Sequence, residues 1–108
     1  MKSNNHKPKT IVDKVYESPK YLVGVKKLKN DHRIKELNTL KEVVDKLIHF
    51  EITSEYKNHP VGNGVFDIHI AGDVILLYRY KDDMLILTLE LHDITNHKQL
   101  NKDLSKIK

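Results

Sequence analysis

The chain has no cysteine, no long apolar run and no nucleotide-binding glycine motif in its 108 residues. Without cysteine there are no disulfides and no thiolate zinc site, which suits a reducing cytoplasm. Residues 1–9 carry no apolar stretch, so no secretory signal is expected. The longest apolar run, Val74 to Tyr78, falls far short of the roughly 20 residues that span a membrane. Walker, Gly-x-Ser-x-Gly and Cys–His patterns are missing, as are internal repeats and low-complexity segments. The length suits one domain with a modest core.

Positive charge is concentrated at the ends. Residues 1–20 hold five lysines against Asp13 and Glu17, and residues 96–108 hold four lysines against Asp103. The middle of the chain is slightly acidic. Basic ends of this kind suit a phosphate backbone or an acidic partner.

Residues 1–9, lysine-rich and broken by Pro8, read as a flexible basic tail. The domain is expected over residues 10–101, with a second basic tail at 102–108. β-Branched residues over 10–16 suit a first strand. Ser18-Pro19 is a helix start, serine as N-cap and proline at the first helical position. Tyr21, Leu22, Val25 and Leu28 follow at helical spacing, weakened by Gly24. Asn30-Asp31 ends that pattern, and Asn38 or Thr39 is a candidate cap for a second helix with the stripe Leu40, Val43, Val44, Leu47 and Ile48. Residues 51–64 read as a loop. Val65 to Ile70 alternates, with Phe66, Ile68 and Ile70 on one face and Asp67 and His69 on the other. Residues 74–80 and 84–91 complete an antiparallel set. The predicted fold is α+β, in the order β-α-α-β-β-β, with helices packed on a small antiparallel sheet. Leu100, Leu104 and Ile107 fall at helical spacing near the end.

Seven histidines are the chain's main source of chemistry. His6 and His32 lie in polar surroundings, and His49 flanks the second helix. His59, His69, His92 and His97 fall near strand or loop ends, where an imidazole exchanges protons near neutral pH. If Ile70-Ala71-Gly72 forms a three-residue turn with Gly72 left-handed, His69 and Asp73 become cross-strand neighbours, roughly 5 Å apart at Cβ. A carboxylate there fixes the imidazole tautomer, although a purely structural pair has the same spacing. His59, His69, Asp73 and His97 are also the candidate metal ligands, but their gaps match no helical zinc motif.

His59-Pro60, Phe66-Asp67-Ile68-His69-Ile70-x-Gly72-Asp73-Val74-Ile75-Leu76-Leu77-Tyr78, Leu85 to Leu89 and the closing Asn96-His97-x-x-Leu100 together resemble the YafQ branch of the RelE/ParE toxins of bacterial type II toxin–antitoxin modules. The resemblance runs over about residues 10–101. It implies a cytoplasmic, ribosome-dependent endoribonuclease that cuts messenger RNA by 2′-hydroxyl attack, with a cognate antitoxin as partner and no cofactor or membrane. It puts catalysis on His59, His69, Asp73 and His97: His69 and His97 transfer protons, Asp73 orients one of them, and His59 contacts the phosphate. Three departures stand out. Val74 replaces the family's tryptophan, Asn101 replaces a phenylalanine, and the few residues before His97, His92-Asp93-Ile94-Thr95, hold no arginine. RNA contact then falls to Lys57, Arg79 and Lys98. The retained histidines favour the nuclease. The missing arginine favours a second reading, a non-nuclease relative that targets gyrase or is an inactive remnant, again held by an antitoxin.

Overall fold

The computed structural model describes residues 10–52, 56–83 and 85–96. Strand β1 (Lys14–Glu17) leads into helix α1 (Pro19–Asn30). The Ser18 hydroxyl accepts the Tyr21 N–H at 3.1 Å, and the same oxygen donates to the His92 carbonyl. The predicted cap therefore also ties the helix start to a strand 74 residues away.

Helix α1 ends in a Schellman turn. The His32 N–H bonds the Lys29 carbonyl, the Arg33 N–H bonds the Leu28 carbonyl, and His32 takes the left-handed position with φ 56°. Only three residues then separate α1 from helix α2 (Ile34–Ile48). The cap of α2 is Arg33, and Asn38 and Thr39 lie inside the helix. The expected cap fails because the apolar period runs back through Leu37, which is buried with Leu40, Val43 and Leu47. Helix α2 closes on a second Schellman turn, with Phe50 at φ 56° and its ring tilted against Tyr80, centroids 5.3 Å apart.

The rest of the described chain is a meander: β2 (Asn58–Gly62), β3 (Val65–Ala71), β4 (Val74–Asp83) and β5 (Ile86–Thr95). The sheet order is β1-β5-β4-β3-β2, antiparallel from β2 to β5 and parallel where β1 pairs β5. The α+β class and the two helices on a sheet hold. The sheet is mixed because two helices carry the chain from β1 to the far side of the meander. Strand β2 occupies part of the expected 51–64 loop. Its hairpin with β3 turns on Asn63-Gly64, both at positive φ (54° and 75°), the residue pair a type I′ turn favours. Pro60 is tolerated because β2 is an edge strand.

Both helices pack on one face of the sheet. Leu37, Leu40, Val43 and Leu47 meet Ile68, Ile70, Leu76, Leu89 and Leu91 there. Gly24 explains the close approach of α1: a Cβ at that position would lie 2.7 Å from the Ile94 Cβ. The other face carries the smaller cluster Val61, Val65, Ile75 and Leu77, and among the described residues no helix covers it.

Candidate functional site

The strand alternation that sends Ile68 and Ile70 to the helices sends Asp67 and His69 to the opposite face. The Asn63-Gly64 turn sets the next strand in register, placing His59 directly across from Asp67. His59 Nδ1 and Asp67 Oδ1 are 3.2 Å apart. The His69 ring stands edge-on to His59, with centroids 6.3 Å apart. Asp67 is buried at 7% exposure, whereas His59 is exposed. A carboxylate oxygen accepts, so Nδ1 of His59 is the donor of this contact.

Asp67 is the residue that sequence reasoning missed as a site member. The sign was present: Asp67 and His69 share a face, and Asn63-Gly64 fixes which residue of β2 opposes them.

The expected His69–Asp73 pair is not formed. His69 faces Ile75, and Ala71 pairs with Val74, so a bulge at Ile70 absorbs one residue and leaves the two-residue turn Gly72-Asp73. Gly72 is left-handed as expected, with φ 58°. The Asp73 carboxylate bonds Arg33 Nη2 at 3.3 Å instead. His97 and Lys98, with both tails, His6 and the Leu100–Leu104–Ile107 stripe, lie outside the described residues. The chain approaches His97 through Thr95, which pairs with Ile75, itself the cross-strand neighbour of His69.

Of the expected RNA-binding cations, Lys57 is exposed just before β2, and its carbonyl accepts the His69 N–H. Arg79 is committed to Glu90, with Nε and Nη2 at 2.9 and 2.8 Å from one carboxylate oxygen. His92 Nε2 lies 3.0 Å from that same oxygen. Burial pushes the Glu90 carboxyl up, but the bonds from His92 and Arg79 outweigh it and hold the group below its ordinary range.

The donor atoms of His59, Asp67 and His69 all lie within 4.8 Å of one another. Two imidazoles and a carboxylate converging this closely can exchange protons with a substrate. They are also a donor set that divalent transition metals accept.

The chain matches the model of the family described as "Bacterial toxin of type II toxin-antitoxin system, YafQ" over residues 13–102. No curated protein sequence matches it. A crystal structure of the E. coli DinJ–YafQ toxin–antitoxin complex is 28% identical, covering 80% of this chain and 93% of that one, with a TM-score of 0.67. A mutant of E. coli YafQ is 27% identical over 80% and 94% of the two chains, also at 0.67. A metal-bound toxin from Helicobacter pylori is 26% identical over 83% and 98%, again at 0.67. With helices on one face of a mixed sheet and histidines gathered on the other, and with that match spanning most of its length, the chain belongs to the YafQ family of bacterial type II toxin–antitoxin toxins.

Proposed function

We propose that this protein is an endoribonuclease that cuts messenger RNA on the ribosome, in the cytoplasm, and is silenced by a cognate antitoxin. The observation that carries this reading is the His59–Asp67–His69 cluster on the face of the sheet opposite α1 and α2. A general base removes the 2′-hydroxyl proton as the 2′-oxygen bonds phosphorus. The bond from phosphorus to the 5′-oxygen then breaks, and a general acid protonates the leaving oxygen. The products are a cyclic phosphate and a 5′-hydroxyl. Two imidazoles near neutrality suffice for both transfers. His69 and His97 take these roles, and Asp67 accepts from Nδ1 of His59 and orients its ring, so that Nε2–H of the protonated imidazole donates to the phosphate. The pairing of Thr95 with Ile75 supports this, since it brings the chain before His97 within two strand spacings, roughly 10 Å, of His69. Asp73 acts from the hairpin tip. Lys57 and Lys98 meet the RNA backbone. The antitoxin reading rests on the DinJ–YafQ complex of the similar E. coli protein. Among the described residues, no helix is long and apolar enough to cross a membrane.

The pairing of Arg79 with Glu90 favours the second reading, because it neutralises the face's arginine before any phosphate arrives. Induced expression in a bacterium, with primer extension on a reporter message, separates the two. New 5′ ends that vanish with His69→Ala or His97→Ala support the nuclease, since losing one proton-transfer group costs about 10²–10⁴ in rate. Growth arrest with intact messages refutes it in favour of the gyrase-directed alternative.

A further inference from the structure

Asp73 is held from across the molecule. Its side chain is 63% exposed on a two-residue turn, yet Arg33 Nη2 donates to its Oδ1 at 3.3 Å from 40 residues away. Arg33 is itself fixed: Nε donates to Glu36 Oε2 at 3.0 Å, and Nη2 reaches the same oxygen. Glu36 stands one turn into α2, so the chain of contacts is anchored on a helix.

Arginine is a poor choice for this position. It is the N-cap of α2, where Ser, Thr, Asp or Asn would satisfy a free N–H, and a cation there opposes the helix dipole. Its side chain makes no capping bond. The residue gives up helix stability for a contact directed at the hairpin tip, and broken local rules of this kind gather at functional positions. Arg33 and Asp73 also line one small cleft with Leu28, Asp31, Val74 and Thr95, where the α1–α2 turn meets the start of β4 and the end of β5.

We propose that Arg33 is a positioning residue for the cleavage reaction. Locked by Glu36, it fixes the Asp73 carboxylate at the hairpin tip through Oδ1. This rests on the reading of Asp73 as a member of the nuclease site.

The test uses the full chain with Arg33→Gln, Arg33→Lys, Asp73→Asn and the double variant Arg33→Gln/Asp73→Asn. The Asp73 χ1 rotamer is read from three-bond couplings by NMR, and single-turnover cleavage is followed on ribosome-bound message. Arg33→Gln is expected to average the rotamer and slow cleavage by about 10–100-fold at unchanged half-saturation, as misplaced groups do. Arg33→Lys restores part of the rate. Adding Arg33→Gln to Asp73→Asn costs nothing further. A rotamer unmoved by Arg33→Gln, additive losses in the double variant, or a change in half-saturation alone would overturn the proposal. Wild-type cleavage by Asp73→Asn, alongside a rotamer that does average, instead overturns the reading of Asp73 and removes Arg33 from the reaction with it.

Discussion

The two faces of the sheet are built from the same strands and obey opposite rules. On the helix side Ile68, Leu76, Leu89 and Leu91 are at most 1% exposed and meet aliphatic side chains of α2. On the other side the same strands present Asp67, His69, Arg79 and Glu90, each in contact with a polar partner or, for His69, with the His59 ring. A period of two residues makes this division possible, and the helices decide which half is core. The larger core therefore lies on one face, while the other, beside its smaller cluster of Val65, Ile75 and Leu77, holds groups that the larger core would not tolerate.

The largest test of that division is a charge on the core side. Val43 is fully buried. Val43→Asp should unfold the domain, since an unpaired buried charge costs several kcal/mol, on the order of the whole stability. Loss of the far-ultraviolet dichroism would show it, and a folded variant would mean that α2 does not close the core.

On the opposite face, Asp67→Asn should leave the melting temperature nearly unchanged while cutting cleavage by about 10–100-fold, because the amide no longer holds the His59 ring as the carboxylate does. Equal loss of stability and activity would erase the contrast between the faces.

A smaller effect is expected where α1 meets β5. Gly24→Ala places a methyl group against Ile94 and should cost about 1–3 kcal/mol in urea unfolding, partly recovered by adding Ile94→Ala.

The smallest effect concerns Glu90. Its carboxyl is lowered in the folded protein, so its stabilisation is present above the ordinary carboxylate value of 4.5 and fades as pH falls through the lowered one. Glu90→Gln should flatten the acid limb of the stability curve and change stability at pH 7 by less than about 1 kcal/mol. An unchanged acid limb would show that the Arg79–Glu90–His92 contacts contribute nothing.

Much of this was legible along the chain. Ser18-Pro19 starts α1 because a cap and a fixed φ act within one turn. The stripe from Leu40 to Ile48 faces the core because 3.6-residue spacing allows only one apolar side. Strand β2 was hidden by Pro60 and Gly62, which read as loop residues, although Asn63-Gly64 between extended segments is a hairpin signal. Asn38 and Thr39 misled because a good capping residue is only a local preference, outweighed here by the burial of Leu37. The His69–Asp73 pair failed on a single bulged residue, which composition does not reveal.

By itself the sequence determined the helices, the alternating faces, the imidazole supply and the family likeness, all of which depend on neighbours within a few positions. The tertiary structure decided the partners. Asp67 meets His59 because the register of β2 against β3 says so, His69 faces Ile75 rather than Asp73 because of the bulge before the turn, and Arg33 reaches Asp73 because the Schellman turn and the Gly72 hairpin bring their ends together. Contacts of that range depend on how whole elements pack, and no local pattern of residues encodes the resulting distance.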